Sequence, residues 1–434
     1  MTQTGTSADG SPRGRRALRA RLDELGPGLI TGAADDDPSG IATYSQAGAG
    51  FGYGMLWTVV FTYPLMAAIQ MVSARIGCIT GRGLAANIKA ALPRPVLYAV
   101  VGLLLLANTI NIAANVSAMG AALKLLLGGS AHVYSVTFGL ACLVLQVFLR
   151  YETYVRYLKW LTLALLAYVA VVFLLDIDWL RVLRELVLPR LAFDHDTIMI
   201  VVAVFGTTIS PYLFFWQAAQ EKEDAVLAAA RDGRPPGELP QAVARAHLRR
   251  IRRDTWIGMG FSNLIAFCII LSAAATLHRA GVVDIQSAAQ AAEALRPLAG
   301  DATFLLFALG IIGTGMLAVP VLAGSAAYAL AETFDWRSGL DMRLDQARRF
   351  YAIIAVATLG GVLLDFTPLN PMRVLLWSAV LNGIIAVPIM AVMMLVASDP
   401  RIMGTYVIRR RLARLGWAAT AVMAITVVAM FVTL

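Results

Sequence analysis

The chain has 434 residues, 59% of them hydrophobic and 15% charged, with a formal net charge of +9. A soluble core cannot absorb that much apolar surface, and apolar runs near twenty residues long match the hydrocarbon thickness of a bilayer. The basic excess does not call for a nucleic-acid partner, because Lys and Arg in such a chain report which loops stay inside. Cys78, Cys142 and Cys268 stand singly, without CxxC spacing, which excludes a disulfide framework and a thiolate metal site and leaves them as small apolar fillers.

Residues 1–25 are rich in Gly, Ser and Arg and lack an apolar signal-peptide core, so a disordered basic cytoplasmic tail is expected, with no cleavable signal. Apolar windows then predict helices over 26–50, 52–74, 95–123, 131–149 and 155–175. A second set covers 197–220, 255–277, 302–331, 350–365 and 371–397, and a last helix covers 415–434. The expected organisation is 26–176 as transmembrane helices 1–5, 177–196 as an extracellular loop, 197–397 as helices 6–10, and 398–434 as a basic loop with helix 11. With a cytoplasmic N-terminus, 29 of the 36 Lys and Arg fall on inside segments and seven outside. That asymmetry predicts an integral protein of the plasma (inner) membrane with an extracytoplasmic C-terminus.

Two helices carry interruptions: Asp35-Asp36-Asp37-Pro38-Ser39-Gly40 in the first and Thr207-Thr208-Ile209-Ser210-Pro211 in the sixth. Each opens a set of five. Five is odd, so the second copy enters the membrane from the opposite face, an inverted repeat with both breaks meeting near the midplane. The fold class expected is thus an all-α polytopic membrane protein of about 11 transmembrane helices, with helices 1 and 6 broken.

Pro38 and Pro211 free local carbonyls and amides at membrane depth. Pro64, Pro320 and Pro388 read as ordinary kinks. Three consecutive carboxylates in one span must face water, a cation or the protein interior, and no Lys or Arg is available at depth to pair with them. His132, His195, His247 and His278 lie in loops or at helix ends by this reading, and methionines such as Met119 and Met316 read as gap fillers. The site is therefore built of oxygen: the Asp37 carboxylate, carbonyls, and the hydroxyls of Thr207, Thr208 and Ser210, a set suited to hard cations such as Mg²⁺ and Mn²⁺. Asn108, Asn111 and Asn115 share one face of the third helix and read either as interhelical hydrogen bonds or as the wall of a wet pathway. Asn382 and Gln70 are similar candidates.

The segments GPGLITGAADDDPSGIATYSQAGAGFGYGMLW and SARIGCITGRGL resemble the first two helices of the Nramp family of divalent metal transporters. In that family the first break reads DPGN and the sixth-helix break MPHN, and the resemblance implies a LeuT-type five-plus-five inverted repeat with alternating access. The matching positions here are Asp37-Pro38-Ser39-Gly40 and Ser210-Pro211-Tyr212-Leu213. Gly40 stands where the family has its asparagine and Ser210 where it has its methionine, so the soft thioether that favours transition metals is missing. Neutral residues around Asn111 and Ala114, with Tyr212 and Gln217 in the sixth helix, stand where the family places its proton machinery. The pattern is most like the Nramp-related magnesium transporter branch. It implies a metal site at Asp37, Thr207, Ser210 and Gly40, with Asp35, Asp36, Ser39, Thr208, Tyr212, Asn111, Asn115, Gln217 and Asn382 lining or supporting the path.

The expected function is movement of divalent cations, Mg²⁺ and also Mn²⁺, as substrate, without strong proton coupling and without a resident cofactor. The lipid bilayer is the expected partner; nothing in the sequence speaks to oligomeric state. The alternative is a proton-coupled Mn²⁺ or Fe²⁺ importer of the ordinary Nramp type. An intramembrane enzyme would need a second deep aspartate on a partner helix, and Asp365 lies at a helix end. A metal sensor would need an output domain that the basic stretch 221–253 does not encode.

Overall fold

The computed structural model describes residues 31–32, 34–149, 161–188, 192–231, 233, 240–340 and 342–433. The predicted basic tail, the start of the first helix (26–30) and the start of the fifth (155–160) lie outside the described residues. Among those described there is no strand. Residues 31–32 and 34–35 are helical, Asp36 bends, Asp37 leaves the helix, and α1 (Pro38–Phe51) follows. A 3-10 turn leads into α2 (Leu56–Thr80), which ends where Gly81 takes a left-handed conformation, the usual helix stop. Next come α3 (Leu84–Ala91), α4 (Arg94–Leu127), α5 (Ala131–Phe148), α6 (Leu166–Val172) and the short α7 (Trp179–Val187). The second set holds α8 (His195–Thr208), α9 (Pro211–Arg231), α10 (Gln241–Ala273), α11 (Thr303–Thr333), α12 (Arg348–Leu364) and α13 (Pro371–Ser398), before a final α14 (Arg410–Val432).

Among the described residues eight stretches are long and apolar enough to cross a membrane, and the first, Pro38–Thr80, covers α1 and α2 together. The described part of the fifth predicted span contains the apolar helical stretch Leu163–Val172, and the ninth appears as the 17-residue helix Arg348–Leu364. Large side chains such as Val356, Leu363, Ile425 and Val428 stay exposed on the outer surfaces of α12 and α14. A soluble protein does not show so continuous an apolar exterior.

Some boundaries differ from expectation. The stretch 221–253 is not one long loop: α9 continues to Arg231 and α10 starts at Gln241. His247 accordingly lies within a helix. The α10 extension buries Ala244 and Ile251 on one face, and an apolar-window reading cuts helices where hydropathy falls. The fifth span ends at Val172 rather than near 175, and the last begins at Arg410 rather than 415.

The broken pair α1 and α8 packs centrally, with α4, α10 and α13 around it. Small residues set the approach distances. A methyl group at Gly206 of α8 would overlap the Ala379 carbonyl and Gly383 of α13, and one at Gly77 of α2 would overlap the Ala218 carbonyl of α9. Backbones can approach this closely only without side chains, and in a bilayer such close packing supplies much of the helix association.

Contacts between connecting segments sort into two ends. At one, Arg75 donates to the Tyr406 carbonyl at 3.2 Å, Lys89 to the Thr333 carbonyl at 3.1 Å, and Lys222 pairs with Glu332 at 3.2 Å. Arg250 of α10 pairs there with Glu221 of α9 at 2.5 Å. At the other, Gln46 reaches the Val283 carbonyl, Asn370 the Gln286 carbonyl, and His132 lies 2.9 Å from Asp365. The Arg-rich segments thus gather at one end of the bundle.

Candidate metal site between the two broken helices

Asp37 is the N-cap of α1: its Oδ1 accepts the Gly40 N–H at 2.8 Å. Proline cannot extend a helix backwards, so Pro38 fixes the first turn and leaves Asp37 extended ahead of it. Its Oδ2 accepts from Asn115 Nδ2 of α4 at 3.0 Å. Opposite, α8 ends at Thr208, with Ile209 and Ser210 out of helical register before Pro211 starts α9. A Cβ placed on Gly40 would lie 3.3 Å from Thr207 Oγ1, so the start of α1 faces the end of α8.

The end of a helix presents unpaired carbonyls and the negative pole of its dipole, while the start holds a carboxylate against the positive pole. Asp37 and the carbonyl end of α8 therefore form a two-sided negative clamp. Ser210 Oγ donates to the carbonyls of Thr207 at 2.8 Å and Gly206 at 3.1 Å, which spends its proton inward and leaves the hydroxyl lone pairs for another group. Asp37, Gly40, Thr207 and Ser210 are all brought together. Thr208 Oγ1 bonds the Val204 carbonyl and lies 3.1 Å from Tyr44 Oη, tying α8 to α1.

The remaining residues singled out in the sequence fall into three places. Ser39 contacts the Leu375 carbonyl at 3.0 Å and Ser378 Oγ at 3.1 Å, on α13. Asp35 and Asp36 are buried but turn away from Asp37's partners, to Ser262 of α10, whose hydroxyl lies 2.8 Å from Asp35 Oδ2 and 3.0 Å from Asp36 Oδ1. Tyr212 Oη donates to the Ala34 carbonyl at 3.1 Å, holding the helical stretch just before the first break against α9. Asn111 and Asn382 form a reciprocal amide pair, at 2.8 and 3.1 Å, between α4 and α13. That is interhelical hydrogen bonding of the kind the sequence offered as one of the two readings. Gln217 reaches Thr255 of α10 at 3.4 Å, away from the clamp.

Sequence reasoning missed Ser262, the contact of Asp35 and Asp36, because a lone serine in an apolar helix carries no signal. Gln70 and Ser73 of α2 hold the carbonyls of Leu213 and Phe214 at the start of α9, and only Gln70 stood out. A Cβ placed on Gly315 would meet both the Met119 side chain and the Pro38 ring, so Met119 fills space behind the first break.

Among the described residues no three His, Cys, Asp or Glu side chains converge as a metal cluster. A cation held here draws one carboxylate and completes its shell with carbonyl, hydroxyl, amide and water oxygens, a hard-ion set. Next to the clamp, a cavity of about 150 Å³ is lined by Ala42, Ala118, Phe307, Ile311, Met372 and Leu375. Among its lining residues is Leu375, whose carbonyl takes the Ser39 hydroxyl.

Comparison with known proteins agrees with this architecture. A "Divalent metal cation transporter MntH" of Klebsiella pneumoniae is 26% identical over 416 residues, 94% of this chain and 93% of that protein. One of the same description from Aeromonas hydrophila is 29% identical over 71% of this chain and 73% of that protein. The crystal structure of a mutant Eremococcus coleocola manganese transporter superposes with a TM-score of 0.74 at 17% identity, over 97% of this chain and 88% of that one. MHP1, a nucleobase-cation-symport-1 family transporter in a closed conformation, superposes at 0.61 and 14% identity over 94% and 90%. The fold is the LeuT-type inverted repeat with helices 1 and 6 broken. The model for the "Natural resistance-associated macrophage protein-like" family matches residues 28–433, and the chain belongs to that family, Nramp.

Proposed function

We propose that this chain is a secondary transporter that moves divalent metal cations across the membrane by alternating access, with Mg²⁺ as its main substrate, Mn²⁺ as a second, and no strong proton coupling. The observation that carries the reading is the oxygen-only clamp: Asp37 at the start of α1 faces the Thr207 end of α8, with Ser210 where a thioether would favour softer metals. Mg²⁺ releases its waters reluctantly, and a single carboxylate with neutral oxygens fits a partly hydrated ion better than a stripped one. The family and the names of the relatives support divalent cations as the substrate class.

The Arg-rich end is proposed as the cytoplasmic side of the plasma (inner) membrane, from the 29-to-7 division of basic residues. The cavity bounded by Leu375 then lies on the outer route, closed off from Asp37 by the Ser39 contacts with α13. The structural neighbour described as a manganese transporter favours a second reading, with Mn²⁺ as the main substrate; the proton-coupled importer is the form of that reading the sequence left as the alternative.

The site is tested by Asp37→Ala in reconstituted vesicles. Divalent uptake is expected to fall to the level of protein-free vesicles while the purified variant keeps its elution profile and helical content. Undiminished uptake would remove Asp37 from the transport path.

A further inference from the structure

On the face of α4 turned to the site, three asparagines serve different ends. Asn111 has both ends of its amide engaged with Asn382. Asn108 donates to the Leu322 carbonyl and Ser325 Oγ of α11, two turns from Asp37's partner. Asn115 is wholly buried, donates to Asp37 Oδ2 at 3.0 Å, and its Oδ1 has no hydrogen-bond partner. Unpartnered amide oxygens also occur at Asn108 and Gln217. Among the described residues, the one on Asn115 belongs to an amide whose nitrogen rests on the proposed ion-binding carboxylate.

The orientation of this amide is fixed by chemistry. Turning it over would set Oδ1 against Asp37 Oδ2, two acceptors with no proton between them. Because Nδ2 and Oδ1 share one carbon, the oxygen is held beside the carboxylate it helps to position. A buried acceptor without a partner is destabilising, and a cation on Asp37 is a partner that relieves it.

We propose that Asn115 Oδ1 is an oxygen donor to the transported divalent cation, so that α4 supplies a neutral ligand beside Asp37. This rests on the reading of Asp37 as the ion-binding carboxylate. The amide then has two functions at once: its nitrogen sets the carboxylate and its oxygen faces the ion. A neutral donor completes an oxygen shell without adding a second negative charge, which suits an ion that keeps part of its water.

Affinity alone does not separate ligation from positioning, because loss of a residue that merely orients a ligand also lowers metal affinity by roughly 10–100-fold. The deciding experiment locates Mn²⁺ by anomalous scattering in crystals of the full-length protein. The proposal predicts an ion on Asp37 with Asn115 Oδ1 at a bonding distance of about 2.0–2.6 Å, the range for hard divalent ions. An ion on Asp37 with Asn115 Oδ1 beyond bonding distance overturns the ligand role and leaves the site standing; an ion bound away from Asp37 overturns the reading beneath it. Titration of Mg²⁺ gives a second readout. Asn115→Leu is expected to lose at least about tenfold in affinity, and Asn115→Asp, which keeps an oxygen in place but not the donor, to retain binding. Equal losses in both variants would show that the N–H alone matters.

Discussion

Asp37 has a partner on each carboxylate oxygen, Gly40 N–H on one and Asn115 Nδ2 on the other. Each oxygen has further lone-pair capacity, so the group is set in place before an ion arrives rather than swinging to meet it. The aspartate and both prolines were legible in the sequence, because charge and ring chemistry are conspicuous in an apolar helix. The division of labour along α4 was not: Asn111 and Asn115 lie one turn apart on the same face, and only the neighbouring helices decide that one pairs with Asn382 while the other meets Asp37. The turn of Asp35 and Asp36 toward Ser262 was hidden for the same reason. At Gly40, a side chain would point at Thr207 Oγ1 and fill the gap between α1 and α8. Gly40→Asn is therefore expected to lower Mg²⁺ uptake by about tenfold, near 1.4 kcal/mol, while Mn²⁺ uptake falls less. Competition between the two ions in flux assays reads the difference, and an unchanged ratio would mean that the space at Gly40 does not set selectivity.

At the scale of helices, both breaks and the paired sets of five were readable because prolines stand at matching positions in otherwise unbroken apolar runs. The cytoplasm-facing lengths of α9 and α10 in the proposed orientation were not readable, since hydropathy drops where a helix leaves the bilayer although its backbone bonds continue. Packing distances were equally hidden. Gly206 looks like any glycine in sequence, yet the α8–α13 contact leaves no room there for a methyl group, whereas Gly102 of α4 has nothing within 4 Å of the corresponding position. Gly206→Ala is expected to cost about 1–3 kcal/mol through overpacking. Gly102→Ala is expected to be neutral or stabilising by about 0.4–1 kcal/mol. Thermal unfolding of the two purified variants checks the contrast, and equal melting points would show that α8 and α13 can separate without loss.

For the whole molecule, the contacts at the two ends join segments that alternation from a single starting side assigns to the same face, as with Arg75 and Tyr406, or Gln46 and Val283. Between those ends the described structure offers one clamp, built of a carboxylate and neutral oxygens, and a cavity of about 150 Å³ that Leu375 helps to line. The histidines stand apart from the clamp: the contacts of His132 and His278 are to Asp365 and to the Ala49 carbonyl. In the proposed function this clamp carries Mg²⁺ without drawing on a proton gradient. The most direct test is uptake of Mg²⁺ and Mn²⁺ into vesicles containing the purified protein, with and without an imposed pH difference. Mg²⁺ uptake that is indifferent to the pH difference is the predicted result. Mn²⁺ uptake that requires the pH difference, with no Mg²⁺ uptake, would contradict it and return the protein to the proton-driven reading.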